Sequence, residues 1–331
     1  MSARPAWRQG ALANTIVCDG LLPWTRLFLP PGADLATVLK RFRAAGVDHV
    51  SLTAAAGDDD HLTALACLGA LRHELARQSD WLRMVDGADA IAQAKADGLF
   101  SVSFHFQTAT PFTAGLDLVD AFRAAGIGRA ILAYNEANPF GDGCHEPRNA
   151  GLSQLGRRLV ARMDAAGMIV DLSHCGERTT LDVLDMDVKR PPIFSHSNAR
   201  ALYDHERNIT DEQIRRCAAR GGYIGVNGVG MFLGVGLEAI PAAMARHLAH
   251  IAQIAGADRV GLGLDFMFLE NSSYDFYHAH ADRWPRGYPP PPWPFLQPEQ
   301  IEALVTAIRA VGFSDQEIAG ILGANHLRLA A

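Results

Sequence analysis

The chain has 331 residues, 49% of them apolar, and its 30 basic and 36 acidic side chains leave a net charge of −6. This supports one large buried core, and the absence of any basic block argues against a nucleic-acid partner. No segment approaches the roughly 20 apolar residues that span a bilayer. Residues 1–10 lack the apolar centre of a secretion signal. Five scattered cysteines (Cys18, Cys67, Cys144, Cys175, Cys217) fit a reducing, cytoplasmic setting better than a disulfide framework.

Short apolar runs alternate with amphipathic stretches along the chain. Residues 15–19 read as a first strand, 35–45 as a helix ended by Gly46, and 47–53 as a second strand. Residues 61–76 have apolar positions at helical spacing, and 100–106 alternate as a strand does. A helix over 116–125 stops at Gly126, a strand follows over 129–134, and a helix over 152–166 stops at Gly167. Strands over 168–174 and 192–196 flank a helix over 177–189. Thr210 with Gln213 three residues on forms a capping-box pattern, repeated at Ser314 and Glu317. Residues 222–227 and 259–264 read as strands, and 242–255 and 298–311 as helices. Eight strands separated by helices imply a parallel sheet. The count and length predict one (β/α)8 TIM-barrel domain over residues 1–331. No glycine-rich phosphate loop follows the first strand. The proline-dense segment at about 285–298, with Pro289 to Pro292, Trp293 and Pro294, reads as an extended surface loop over the barrel mouth or against a partner.

Two runs end in histidine, Asp171-Leu172-Ser173-His174 and Phe194-Ser195-His196-Ser197-Asn198. Barrel enzymes build their chemistry at the C-terminal strand ends, and two imidazoles there can bind one metal ion. The bland alternative is two unrelated histidines bonded to loops. Cys175 reads as a soft ligand or as a small buried residue. Asp265 ends another apolar run and reads as a general base or a helix cap. Arg207, in a loop placed at the barrel mouth, offers a bidentate fork for a carboxylate or pairs with Glu206 or Asp211. The polar, glycine-rich loop over 134–143 is functional or a turn.

These motifs, with Gly221-Gly222 and Gly263-Leu264-Asp265-Phe266, resemble the membrane dipeptidase (renal dipeptidase, peptidase M19) family of the amidohydrolase superfamily. The resemblance runs from Asp19-Gly20 to residues 323–328. It implies a metal-dependent barrel that hydrolyses dipeptides. It also implies that His174 and His196 ligate the second of two zinc ions, Arg207 binds the substrate carboxylate, and Asp265 assists proton transfer. The departures are equally specific. Leu21 and Pro23 stand where the family has its first-site histidine and aspartate, Gln107 stands at the bridging glutamate, and Tyr134 at a substrate-site histidine. A neutral amide does not offset the repulsion of two cations. Asp19 and His105 lie two residues before the lost ligands and share their strand face, either as a shifted single-metal site or as packed polar residues.

The reading therefore predicts at most one divalent ion, zinc, on His174 and His196, and no organic cofactor. The substrate is a dipeptide or similar small carboxylated amide, held by Arg207 and Tyr134, with Asp265 catalytic. A family member that binds such a ligand without turnover is the alternative, as is a lyase or isomerase on the same barrel. Neither nucleic acid nor membrane is an expected partner. A homodimer is compatible with the sequence.

Overall fold

Strands buried along nearly their whole length need helices on the outside and side chains filling the inside. The computed structural model, which describes residues 5–25, 29, 32–267, 274, 278–279 and 288–329, meets that need with a barrel. Strand β1 (Cys18–Leu22) pairs in parallel with β2 (His49–Ala56), β2 with β4 (Phe100–Gln107), β4 with β5 (Ile127–Ile131), and β5 with β6 (Ile169–Asp171). The sixth stave is only a pair of parallel bridges, Asp171 to Ile193 and Phe194 to Ile224. It links β6 to β7 (Ile224–Val226), which pairs with β8 (Val260–Leu262). The ring returns to β1 through the Asp265 N–H donating to Leu21 O at 3.1 Å, and the Leu264 N–H donating to Asp19 Oδ1 at 2.7 Å. Strand β3 (Leu82–Met84) pairs only with the start of β4 and lies outside the staves.

The helices form where caps and apolar spacing agree. In Leu35–Ala44 the buried side chains are Leu35, Ala36, Val38, Leu39 and Phe42, one face of a 3.6-residue repeat, and Asp34 caps the Thr37 N–H. Both predicted capping boxes are present, Thr210 with Gln213 and Ser314 with Glu317. Helix His61–Ala76 has the predicted bounds. Elsewhere boundaries move for identifiable reasons. The first strand starts at Cys18 because the Val17 N–H is taken by Asp48 Oδ2 at 2.9 Å instead of a ladder partner. The helix predicted over 177–189 ends at Leu184, and the Asp164 carboxylate then takes the N–H groups of Lys189 and Arg190. Among the described residues, no helix is long and apolar enough to cross a membrane. Residues 285–287 of the proline-dense segment lie outside the described residues. From Tyr288 onward the segment runs against residues 228–230, with the Leu296 N–H donating to Gly228 O at 2.8 Å.

Candidate metal and substrate site

The ends of β6 and the sixth stave are stapled side by side. Asp171 Oδ1 accepts the N–H groups of Ser173 and Ser195, both at 3.1 Å, and Ser173 Oγ accepts the His196 N–H at 3.1 Å. The result is convergence of two imidazoles, with His174 Nε2 and His196 Nε2 2.9 Å apart. Their other nitrogens are anchored, His174 Nδ1 on Asn135 Oδ1 and His196 Nδ1 on Ser195 Oγ, each at 2.7 Å. Asn135 Oδ1 only accepts, so His174 carries its proton on Nδ1 and its Nε2 is bare when neutral. Burial, reinforced by the Arg207 charge, pushes both rings well below the usual histidine range. Both are therefore neutral at physiological pH, the form that binds metal.

This network accommodates two states. In one, His196 Nε2–H donates to His174 Nε2, and the Ser195 hydroxyl donates to His196 Nδ1. In the other, the serine hydroxyl turns to accept from His196 Nδ1–H, leaving both Nε2 lone pairs for one ion. Nitrogens 2.9 Å apart can share an ion at the usual metal–nitrogen distance of about 2.0–2.1 Å. Among the described residues, no cluster of three histidine, cysteine, aspartate or glutamate side chains forms. The pair thus fits a single cation completed by water or substrate, and Cys175 is not a ligand. Its Sγ is buried and points to Ala133 O at 3.6 Å, and burial pushes the thiol up to about 12.

A pocket opens over the pair, lined on its polar side by Gln107, Tyr134, Asn135, His174, Asp265 and Tyr288. Tyr134 stacks on the His174 ring, centroids 4.0 Å apart at 23°. Burial raises the Asp265 carboxyl to about 6, against the opposing pull of Arg207. Among the described residues four non-glycines have left-handed backbone: Asn135 at φ 63°, Asn149 at 43°, His174 at 66° and Asp265 at 56°. Three of the four line this pocket. Such residues persist only where the surroundings hold them, and they concentrate at functional sites.

Of the other predicted site residues, Arg207, His105 and Asp19 fall behind the pocket. Arg207 does not sit in an exposed loop at the mouth: it is 2% exposed. Its fork is already engaged, Nη1 donating to Ser197 Oγ at 3.0 Å and Nη2 to His196 O at 2.7 Å. The reason is local, because the following strand-end loop folds back and the Ile209 N–H donates to Asn198 O at 2.8 Å. His105 is fully used, with Nδ1 at 2.9 Å from Ser51 Oγ and Nε2 at 2.9 Å from Thr53 Oγ1. Gln107 donates to the same Thr53 Oγ1 at 2.8 Å. Asp19 lies below the pocket floor, its Oδ1 accepting from the Leu21 and Leu264 N–H groups. Arg129 occupies the barrel interior, reaching Gly20 O, Ser51 Oγ and, at 3.4 Å, Asp171 Oδ2. A guanidinium there opposes a shifted cation site built on Asp19 or His105. Both stand as packed polar residues of the interior.

Burial raises Asp19 to about 7, and its Oδ2 has no hydrogen-bond partner. Its folded pKa lies above the unfolded value near 3.9, so the native state holds the extra proton between about pH 4 and 7, and stability falls as pH rises through that window. Asp19→Asn keeps an oxygen for both backbone donors. Chemical denaturation across that window should show the variant gaining on the wild type by up to about 1.4 kcal/mol per pH unit. A constant difference between the two proteins would contradict this.

The chain matches the family described as membrane dipeptidase (Peptidase family M19) over residues 32–277. This protein belongs to that family. An uncharacterised dipeptidase of Schizosaccharomyces pombe is 34% identical over 203 residues, 59% of this M19 chain and 48% of the relative. The dipeptidase tcpJ of Claviceps purpurea is 36% identical over 148 residues, 44% of this chain and 35% of the relative. The chain therefore covers less than half the length of these relatives. Among solved structures, an amidohydrolase from Pseudomonas aeruginosa has a TM-score of 0.85 at 26% identity, covering 96% of both chains. A metallopeptidase from Rhodobacter sphaeroides, liganded with a phosphinate mimic of L-Ala-D-Ala, has a TM-score of 0.75 at 22% identity, covering 96% of this chain and 99% of its own. The latter supports the TIM-barrel fold alone.

Three features of the M19 site lay beyond sequence reasoning. Asn135, which orients His174, fell inside the polar loop over 134–143, but composition gave no way to single it out. His145 bonds Glu206 Oε2 through Nδ1 at 3.0 Å and the Tyr288 hydroxyl through Nε2 at 3.1 Å, joining three distant segments. Arg129 reads in sequence as an ordinary charge at the head of a strand.

Proposed function

We propose that this M19 chain hydrolyses the amide bond of a dipeptide or similar small carboxylated amide, using at most one divalent ion. The observation that carries the reading is the pair of neutral imidazoles converging at 2.9 Å beneath a pocket that also holds Asp265. His174 and His196 would hold the ion, with zinc suited to imidazole ligands. When bound, such an ion polarises a carbonyl and lowers the pKa of its water.

The chain's own groups do the rest. Asn135 and Ser195 fix the imidazole orientations. Tyr134 packs against His174 and shapes the wall beside it. Asp265, with its carboxyl near 6, is mostly ionised at neutral pH and takes the proton released on attack. Arg207 acts from behind His196, its charge favouring a substrate carboxylate while its fork stays on Ser197 and His196 O.

The test is release of free amino acids from a panel of dipeptides and N-acyl amino acids, with a pH profile. Protonated Asp265 cannot accept a proton, so kcat/KM should fall about tenfold per pH unit below about 6. Asp265→Asn should lower the rate by about 10²–10⁴ and remove that limb. No hydrolysis of any member would remove the reading. A second reading has its own support: the two histidines already satisfy one another without an ion. On it the protein binds a carboxylated ligand and does not turn it over.

A further inference from the structure

Apart from the barrel core, the described residues form a separate apolar cluster of Val229, Met231, Phe232, Met267, Trp293 and Phe295, each at most 9% exposed. All six line the pocket over the histidine pair. A packed cluster whose every member faces a ligand cavity is a preformed apolar wall, and none of the six carries a charge.

The wall comes from two segments tied edge to edge. Val229 and Phe295 form an antiparallel bridge, and the Gly230 N–H donates to Pro294 O at 2.8 Å. The approach is close enough that a Cβ on Gly230 would lie 2.5 Å from Pro294 Cγ. Tyr288 locks the second segment. Its ring packs edge-on against Trp293 at 5.6 Å, Phe232 at 5.8 Å and His145 at 5.1 Å. Its hydroxyl is 3.1 Å from His145 Nε2, and His145 Nδ1 is held by Glu206 at 3.0 Å. Glu206 only accepts, so His145 donates its Nδ1–H to the carboxylate and presents Nε2 to the Tyr288 hydroxyl.

We infer that the pocket selects a substrate bearing a bulky apolar side chain, aromatic or branched aliphatic, seated against this wall, with Tyr288 as the positioning residue that holds the wall in place through His145 and Glu206. The inference rests on the carboxylated-amide reading above and narrows it to one side-chain class. The cavity as it stands is about 40 Å³ and open at its mouth, so the side chain lies across the wall with one face toward the mouth. Removing even half of a phenylalanine-sized surface from water favours binding by about tenfold over a glycine analogue.

The experiment measures binding of Gly-Gly, Gly-Glu, Gly-Phe, Phe-Gly and the D-phenylalanine counterparts by thermal stabilisation, with KM for any that are cleaved. At least one phenylalanine probe should bind tenfold or more tighter than Gly-Gly and Gly-Glu. Trp293→Ala should erase most of that ratio in protein that circular dichroism shows to be folded. Tyr288→Phe should cut the ratio by threefold or more, and Glu206→Gln in the same direction. A merely structural role would lower all probes together. Equal affinity for glycine and phenylalanine probes, or a ratio unmoved by Trp293→Ala in folded protein, overturns the inference and leaves the carboxylated-amide reading standing. Binding of no probe at all overturns both.

Discussion

His174→Ala is expected to abolish metal uptake and amide hydrolysis together while leaving the barrel folded. His174 supplies one of the two converging nitrogens, and no third acidic, cysteine or histidine ligand completes a cluster among the described residues. A site with two protein ligands has no reserve. Loss of groups that only orient a ligand costs ten- to hundredfold in metal affinity or activity, so loss of a ligand itself should cost at least about a hundredfold. The fold should survive because His174 opens onto the pocket, where water can meet Asn135 and His196. Elemental analysis, dipeptide turnover and circular dichroism on the one variant check all three parts. Undiminished turnover in a folded variant would place the chemistry elsewhere.

Gly263→Ala is expected to be far more damaging to the fold than its single methyl suggests. A Cβ at Gly263 would lie 2.0 Å from Ser195 O and 3.0 Å from His196 Cβ. The first clash is with backbone, so no rotamer relieves it, and β8 must move away from the stave that carries His196. Overpacking a well-filled core typically costs about 1–3 kcal/mol, and a backbone clash belongs at or above the top of that range. Urea denaturation should show a loss of at least about 3 kcal/mol or no folded protein. A variant within about 1 kcal/mol of wild type would mean that the stave junction is looser than its geometry indicates.

The barrel was legible because the period of apolar residues changes between strand and helix eight times, and because capping residues such as Thr210 and Ser314 mark helix starts. Strand β3 escaped the sequence reading because Arg83 breaks its run Leu82-Arg83-Met84. The sixth stave was legible through its motif and not through ladder length, since only Ile193 and Phe194 pair. Of the site, His174, His196 and Asp265 were readable as ends of apolar runs, and Gln107 and Tyr134 only through the family resemblance; the structure gathers all five at one pocket or directly beneath it. The position of Arg207 was misread because a charged residue in a polar loop looks exposed. Its burial comes from the loop folding back onto residues 196–198, a contact that no local pattern records. The His145–Glu206–Tyr288 tether spans residues far apart in sequence, so only the fold reveals it. Left-handed backbone at Asn135, His174 and Asp265 is equally invisible to composition, because none of the three is glycine.

The most direct test of the account is the metal stoichiometry of chain purified without chelator, measured alongside its dipeptide turnover. Leu21, Pro23 and Gln107 supply no anionic ligand, and Arg129 already places a positive charge inside the barrel. The account predicts at most one divalent ion per chain, lost in His174→Ala, with turnover tracking its occupancy. Two tightly bound ions per chain, or turnover undiminished after complete metal removal, would contradict it.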